Sequence, residues 1–323
     1  MTSLASTVPS GTAARAIWRA CFVDATPALA DLFERLQRPS DPPVQVNRQP
    51  DVKPDELPVV LDGAPIAIID HTSLPTAVAA RCPGLKHVVF LGTGARSYMD
   101  PEALAGLGIA VHTIKGYGDT AVAECAFALM WAAAKGLAKM DRALREGNWL
   151  RTDGLQLRGK TLGLIGFGGI AQELARLALG AGMRVVAWNR SPREHAGVEF
   201  VGIDALLATS HVVSLHLLLT DQTRGFLSRA RIAAMRDGAL LVNTARGALL
   251  DEPALIDALT SGKLAHAGLD VFTVEPLPAL HPFTTLPNVT LSAHSAFRTP
   301  EANVNLVEAA LAHCRRIAAD RGA

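Results

Sequence analysis

The sequence predicts an α/β protein with two doubly wound parallel sheets, each in its own domain. Short apolar runs alternate with amphipathic stretches along most of the chain, which is the order that parallel strands joined by helices require. The alternation occurs in two series, separated by an alanine-rich segment over residues 121–145. Because 323 residues are more than one hydrophobic core usually supports, we expect two domains.

The first series predicts strands and helices between residues 16 and 115. The predicted strands are Ala20 to Val23, Val59 to Leu61, Ile66 to Ile69, His87 to Leu91 and Ile109 to Val111. The predicted helices are Pro27 to Leu36, Thr76 to Arg81 and Pro101 to Leu107. Thr26 before Pro27 is a capping hydroxyl followed by a proline at the first helical position, which favours a helix start there.

A long helix is predicted from Ala121 to about Arg145, with Asp119 or Thr120 as its N-cap. The segment is apolar on several faces, so it must be covered on more than one side. It is either buried between domains or subunits, or an ordinary core helix. Its longest apolar run, Cys125 to Ala134, is about half of the roughly 20 residues that span a bilayer. We therefore expect no membrane insertion.

The second series predicts a further parallel sheet. The predicted strands are Thr161 to Ile165, Arg184 to Trp188, His211 to Leu215, Ala239 to Asn243, Ala265 to Leu269 and Val289 to Leu291. The predicted helices are Ile170 to Leu179, Arg231 to Met235 and Glu252 to Leu259. Such a series is typical of a doubly wound sheet.

A glycine-rich turn follows the first strand of this series. It reads Gly166-Phe167-Gly168-Gly169-Ile170-Ala171 and fits the pattern GxGxxG/A between a strand and a helix. Gly166 permits the tight turn, Gly168 lets a pyrophosphate approach the backbone, and Ala171 lets the helix pack closely on the sheet. The pattern alone is weak evidence, but its position between strand and helix predicts a dinucleotide site.

The next strand ends without the acidic residue that usually binds the adenosine ribose. Asn189, Arg190 and Ser191 stand there instead. A carboxylate would repel a 2′-phosphate, whereas a guanidinium and a hydroxyl can bind one. We therefore expect NADP(H) as the preferred cofactor. In the alternative interpretation, Arg190 points to solvent and Asn189 is sufficient for the ribose of NAD(H).

Three polar residues follow later strand ends: Arg246, Glu275 and His294. Ligands of open α/β sheets bind at the carboxyl ends of strands. An arginine can hold a carboxylate with two hydrogen bonds, and a histidine can exchange a proton near neutral pH. A glutamate bonded to the imidazole would favour its protonated form. Each residue also has a structural interpretation, but their order after a dinucleotide motif predicts one active site for reducing a 2-oxo acid.

The composition excludes several other classes of protein. The 31 basic and 30 acidic side chains leave no excess charge for a nucleic acid partner. Four scattered cysteines without CxxC spacing predict neither a zinc site nor disulfides, and they fit a reducing cytoplasm. The small, polar residues 1–14 predict a disordered tail rather than a signal peptide. No metal is expected, because the other histidines form no ligand cluster; they include His71, His112, His211, His216 and His281.

These motifs resemble the D-isomer-specific 2-hydroxyacid dehydrogenase family over roughly residues 85–299. The matching segments are Gly92-Thr93-Gly94, Ala121-Val122-Ala123-Glu124, the glycine-rich turn and the segments around Arg246, Glu275 and His294. The resemblance implies that Arg246 binds substrate, that Glu275 supports the histidine and that His294 is the acid–base. It also implies that the backbone amides of Gly92, Thr93 and Gly94 hold the substrate carboxylate, and that Asp270 lies beside the nicotinamide. We also expect Thr244 and Ala245 at the cofactor.

The family's architecture implies two Rossmann-like domains with an active-site cleft between them. Residues 1–115 and 296–323 would form a discontinuous substrate-binding domain, and residues 116–295 the dinucleotide-binding domain. The chain would return to the first domain through a helix from Glu301 to Ala319. A homodimer joined through the cofactor domain is also implied, and it would explain the apolar segment after Ala121.

The resemblance implies a reductase of the glyoxylate or hydroxypyruvate type, with pyruvate as an open alternative. Tyr98, Tyr117 and Phe297 are expected near the pocket and would limit its size. Three residues depart from the family's pattern, namely Arg96, Leu218 and Asn189. Glu275 disfavours a formate dehydrogenase, which carries glutamine there, and the short segment after His294 disfavours a phosphoglycerate dehydrogenase with a regulatory tail. The alternative function is a non-catalytic nicotinamide-sensing corepressor or scaffold of the same fold.

Overall fold

A computed structural model describes residues 19–191 and 193–320. The chain divides into two compact units, one with residues up to Ile114 and from Val307 onward, the other with Lys115–Leu306. The return to the first unit therefore falls inside the C-terminal helix rather than at residue 296. The predicted tail of residues 1–14 lies outside the described residues.

The first unit is built on a parallel sheet of five strands in the order β2-β1-β3-β4-β5. The strands are β1 (Ala20–Phe22), β2 (Val44–Val46), β3 (Ile66–Ile69), β4 (His87–Phe90) and β5 (Ala110–Thr113). Its helices are α1 (Pro27–Leu36), α2 (Leu57–Leu61), α3 (Thr76–Ala79) and α4 (Pro101–Gly106), with short 3-10 turns at Pro54–Glu56 and Ala95–Ser97. Strands β1 and β3 are fully buried, as expected for the middle of a parallel sheet.

The predicted strand from Val59 to Leu61 is wrong, because this segment lies in helix α2. Two β-branched residues suggested a strand. The structure instead buries Leu57 and Leu61, four positions apart, and leaves Val59 81% exposed. Burial of residues at i and i+4 is helical spacing, so packing of the two leucines overrides the strand propensity. Strand β2 was not predicted, because its three residues are only partly buried and carry no apolar run.

The second unit contains a parallel sheet of seven strands in the order β12-β11-β10-β9-β6-β7-β8. The strands are β6 (Thr161–Ile165), β7 (Arg184–Trp188), β8 (Val198–Phe200), β9 (Val212–Leu215), β10 (Ala239–Asn243), β11 (Leu264–Leu269) and β12 (Val289–Leu291). Within this unit the first six strands have the Rossmann order 3-2-1-4-5-6, with β12 added at one edge. The strand order reverses between β6 and β9, which is where such sheets bind dinucleotides.

The remaining helices lie in the second unit, except that the last of them begins there and continues into the first unit. They are α5 (Asp119–Lys135), α6 (Leu137–Arg145), α7 (Gly169–Gly180), α8 (Ile203–Thr209), α9 (Arg229–Ala234), α10 (Glu252–Thr260), α11 (Pro282–Thr285) and α12 (Pro300–Ala319), with a 3-10 turn at Gly247–Leu249. Strand β8 and helices α8 and α11 were not predicted, because each is too short to show a clear period.

The predicted single helix from Ala121 to Arg145 is wrong, because two helices, α5 and α6, meet at a 66° bend. Gly136 ends α5 with a left-handed φ of +64°, a conformation that glycine adopts without steric cost. The predicted caps are also wrong, because Gly118 precedes the first helical residue and Asp119 lies within the first turn.

Helix α5 is covered within its own unit. Its residues contact α7 and strands β10 and β11, and a Cβ atom at Gly268 would lie 3.0 Å from the Cβ of Leu129. Because the close approach of helix and strand depends on this glycine, α5 is a core helix of the second unit. No single helix of the described segments is long and apolar enough to cross a membrane, and the only candidate is the bent pair α5 and α6.

Candidate active site

The glycine-rich turn joins β6 to α7 at the point where the strand order reverses. Gly166 has a φ of +90°, and a Cβ atom there would lie 2.6 Å from the carbonyl oxygen of His216. Only glycine fits this position. Gly168 is exposed with open space where its Cβ would be, and Ala171 is fully buried against the sheet. The turn therefore leaves the N-terminus of α7 accessible to an anion.

Asn189 and Arg190 follow β7, which pairs with β6 in parallel register. The Asn189 Oδ1 accepts a hydrogen bond from the backbone N–H of Phe167 at 3.3 Å, and its Nδ2 donates to the Ser191 carbonyl at 2.9 Å. The amide thus ties the end of β7 to the glycine-rich turn. Arg190 and Ser191 are exposed, and Arg190 forms no ion pair with any residue of the two described segments.

The loop after β10 carries Thr244, Ala245 and Arg246. Buried Asn243 holds it, accepting the N–H of Ala245 and donating to the carbonyl of Arg246, each at 3.0 Å. The Thr244 hydroxyl is buried and has no hydrogen-bond partner among the described residues. Buried polar atoms normally have a partner, so an unpaired hydroxyl just after a strand of the same parallel sheet fits a site that is completed by a ligand.

Arg246 is half-buried, and its Nη1 donates to the carbonyl of Ala245 at 2.6 Å. The next residue, Gly247, has no room for a side chain, because a Cβ there would overlap the backbone of Phe272 and Thr273. This close approach sets the loop after β10 against the loop after β11. It therefore brings the segments that carry Arg246 and Glu275 together.

His294 and Glu275 form a hydrogen-bonded pair, with 2.6 Å between Nδ1 and Oε2. The other Glu275 oxygen accepts the N–H of Phe272 at 2.9 Å. Burial alone would raise the pKa of Glu275, but its hydrogen bonds to His294 and Phe272, with the charges of His294 and Arg246, hold that pKa below its ordinary value. Glu275 therefore stays ionised, and its bond to Nδ1 fixes the orientation of the imidazole.

Asp270 is fully buried and organises the loop that carries His294. Its carboxylate accepts hydrogen bonds from the Ser292 hydroxyl at 2.6 Å and from the N–H groups of Ser295 and Ala296 at 3.0 and 3.1 Å. Its backbone carbonyl accepts the N–H of His294, which has a φ of +48°. The structure thus gives Asp270 a supporting role, and a contact with cofactor stays a prediction.

Phe297 lies beside His294, and Tyr117 lies beside Phe297. The Phe297 ring is edge-on to His294 with centroids 6.5 Å apart, and edge-on to Tyr117 at 6.2 Å. Both aromatic side chains belong to the second unit. In the first unit, Tyr98 packs against Phe90 at 5.2 Å.

Gly92, Thr93 and Gly94 follow strand β4 of the first unit. The N–H of Gly92 donates to the Phe90 carbonyl at 2.8 Å, and its carbonyl accepts the N–H of Ile114 at 3.0 Å. Within the described residues no hydrogen bond uses the N–H of Thr93 or Gly94. Their assignment to a substrate carboxylate stays a prediction.

Two of the residues that depart from the family pattern, Arg96 and Leu218, are exposed. Arg96 forms an exposed two-pronged ion pair with Glu102. Leu218 is 66% exposed after β9. Across the described segments, no group of three or more histidine, cysteine, aspartate or glutamate side chains could hold a metal ion.

Comparisons with known proteins agree with this geometry. Residues 127–296 match the family model described as D-isomer specific 2-hydroxyacid dehydrogenase, NAD binding domain. The chain is 38% identical over 259 residues to a hydroxypyruvate reductase of Thermotoga maritima, covering 79% of this chain and 83% of that protein. It is 38% identical over 240 residues to a glyoxylate reductase of Aeropyrum pernix, covering 70% and 71%.

A solved structure supports the same fold. An acyclic imino acid reductase in complex with NADPH and D-Arg aligns with a TM-score of 0.78 at 28% identity, covering 90% of this chain and 94% of that chain. The likeness thus extends over both units.

Proposed function

The chain belongs to the D-isomer-specific 2-hydroxyacid dehydrogenase family, and we propose that it reduces glyoxylate or hydroxypyruvate with NADPH as its preferred cofactor. It is a nicotinamide-dependent reductase of 2-oxo acids. The observation that carries the proposal is the 2.6 Å bond between His294 and Glu275, in the same unit as the glycine-rich turn and with Arg246 close enough to affect Glu275. This arrangement disfavours a non-catalytic corepressor or scaffold.

Arg246 binds and orients the substrate in this proposal. Its planar guanidinium can donate two parallel hydrogen bonds to the substrate carboxylate and neighbouring carbonyl oxygen. Asn243 and Gly247 hold the backbone of the loop that carries it, and its Nη1 bonds to the carbonyl of Ala245, so the guanidinium is partly oriented before binding.

His294 supplies the proton. Reduction places a hydride on the carbonyl carbon and requires a proton on the carbonyl oxygen, and the bound reduced nicotinamide supplies the hydride. The Nε2–H of protonated His294 donates that proton, while Nδ1–H stays bonded to Glu275. The anionic Glu275 stabilises the protonated imidazole before transfer, and His294 regains a proton from solvent afterwards.

Three observations support a dinucleotide at the cofactor site. Gly168 is open to solvent at the N-terminus of α7, Thr244 has a buried hydroxyl without a partner, and Asn189 braces the turn. The exposed guanidinium of Arg190 supports NADP(H) over NAD(H), because it is placed after β7 without an internal ion pair among the described residues. A neighbouring structure holds NADPH, which also favours this choice.

Replacing Arg190 with alanine is expected to lower kcat/KM for NADPH about tenfold or more and to change that for NADH by less than about twofold, since an exposed charge-assisted contact is worth about 1.5 kcal/mol. Initial rates with hydroxypyruvate and each cofactor measure the effect. The exposed Arg229→Ala serves as the matched control, because Arg229 pairs with Asp257 outside the cofactor site. Equal losses with both cofactors would exclude Arg190 as the phosphate-binding residue.

We also propose a homodimer joined through the second unit. Helix α6 has no buried residue, and Leu137, Leu144 and Trp149 expose 51%, 51% and 80% of their surface. Exposed apolar side chains grouped on one segment favour an interface. Sedimentation equilibrium tests this proposal, and a particle of 34.0 kDa at micromolar concentration would contradict it.

The four cysteines, Cys21, Cys82, Cys125 and Cys314, are all free thiols. This state supports the proposal of a reducing, cytoplasmic location.

A further inference from the structure

Asp119 lies against the phosphate-binding turn. It is the first residue of α5, and Gly169 is the first residue of α7, directly after the open glycine Gly168. A Cβ atom at Gly169 would overlap the Asp119 carboxylate. The carboxylate therefore occupies the space that a side chain at position 169 would take. When ionised, Asp119 therefore places a negative charge at the N-terminus of α7, which is expected to bind a pyrophosphate.

The Asp119 carboxylate has no partner of opposite charge. It is half-buried, and no lysine, arginine or histidine of the described residues forms a hydrogen bond or ion pair with it. The charged group that faces it from α7 is Glu173, which pairs with Arg176 at 3.1 Å. Burial, and then the negative charge of Glu173, hold the pKa of Asp119 above its ordinary value.

A dinucleotide brings two further negative charges to this turn. Two negative groups at a half-buried position repel each other more strongly than they would in water, because the local dielectric is lower there. A neutral carboxyl group removes the repulsion, and its O–H can donate to a phosphate oxygen. Asp119 is therefore placed to sense whether the phosphate site is filled.

Resting on the cofactor site proposed above, we propose that Asp119 takes up one proton from solvent when a dinucleotide binds at the N-terminus of α7. The carboxylate and the proton combine to give the neutral carboxyl group, and no other bond is made or broken. The residue acts as a positioning and affinity-setting group for the cofactor. It makes cofactor binding tighter at acidic pH and favours release at alkaline pH.

Cofactor affinity falls as pH rises, because proton binding and cofactor binding are linked. The bound pyrophosphate raises the pKa of Asp119 further, so the complex holds more protons than the free protein between the two pKa values. Binding is tightest below the pKa of the free protein. It weakens by up to about tenfold per pH unit until the pKa of the complex is passed, because one proton is involved.

Isothermal titration calorimetry of the full chain with NAD⁺ tests the proposal without turnover. NAD⁺ has no group that titrates near neutral pH, so the proton balance reports on the protein. Titrations between about pH 5 and pH 8, in buffers of different ionisation enthalpy, give both the Kd and the number of protons taken up. The variants are Asp119→Asn and Asp119→Ser, with the exposed Asp204→Asn of α8 as the charge-matched control.

Wild type and Asp204→Asn are expected to take up a proton and to bind NAD⁺ more weakly as pH rises. Both Asp119 variants are expected to lose that uptake and to bind NAD⁺ at least about tenfold more tightly than wild type at the alkaline end. Equal proton uptake in wild type and in the Asp119 variants would overturn the role of Asp119 and leave the cofactor site intact. Failure of wild type to bind either NAD⁺ or NADP⁺ would overturn the cofactor site itself.

Discussion

Replacement of His294 with alanine is expected to lower kcat for 2-oxo acid reduction by about 10²- to 10⁴-fold, the range that a positioned acid–base group contributes. The loss follows because no other imidazole of the described residues is bonded to Glu275. The Kd for NADPH, measured by the enhancement of its fluorescence, is expected to stay within about twofold. Stopped-flow oxidation of NADPH with hydroxypyruvate measures the chemical step directly.

A variant at Glu275 separates the role of His294 as proton donor from the role of the carboxylate bonded to it. Glu275→Gln keeps a hydrogen bond to His294 but removes the charge that favours the protonated imidazole. We expect a loss of kcat that is smaller than the loss in His294→Ala. Unchanged turnover in His294→Ala, or a larger loss in Glu275→Gln than in His294→Ala, would contradict the assignment of His294 as the proton donor.

Replacement of Arg246 with alanine is expected to lower kcat/KM by about 10²- to 10³-fold, since loss of one partner of a hydrogen-bonded charge pair costs about 3–4 kcal/mol. Arg246→Lys keeps the charge but not the two-pronged geometry, so an intermediate loss is expected. Steady-state rates against hydroxypyruvate concentration measure both. The exposed Arg229→Ala is the control for removal of a cation.

The changes in KM and in kcat of the Arg246→Ala variant report separately on the roles of Arg246. Because Arg246 orients the substrate as well as binding it, the alanine variant is expected to raise KM and lower kcat together. Binding of NADPH should be unaffected. A kcat/KM within about twofold of wild type would show that another group holds the substrate carboxylate.

The sequence predicted the second unit better than the first. The bounds of β6, β7, β10 and β12 are as predicted, because each strand is mostly apolar and is followed by a polar or glycine residue. The errors have local causes. At Val59 the packing of two leucines overrode a β-branched run, and at Gly136 a single left-handed glycine ended a segment whose composition is helical on both sides.

The candidate site could be predicted where residue types suited to catalysis directly follow the predicted strands. Arg246, Glu275 and His294 could be named because polar residues after parallel strands meet at one edge of the sheet. The supporting groups could not be named from the sequence. The hydrogen bonds of the buried Asp270 carboxylate and the approach of Asp119 to Gly169 depend on contacts between segments far apart in the chain. A buried polar residue at the last position of a strand, such as Asn243, is the one signal that could have indicated support.

The stereochemistry of the product decides whether the protein is a D-specific reductase of 2-oxo acids. Purified protein is incubated with NADPH or NADH and hydroxypyruvate, and the glycerate formed is resolved by chiral chromatography. We expect consumption of the cofactor, faster with NADPH, and D-glycerate as the product. Formation of L-glycerate, or no oxidation of either cofactor with hydroxypyruvate, glyoxylate and pyruvate, would contradict this expectation.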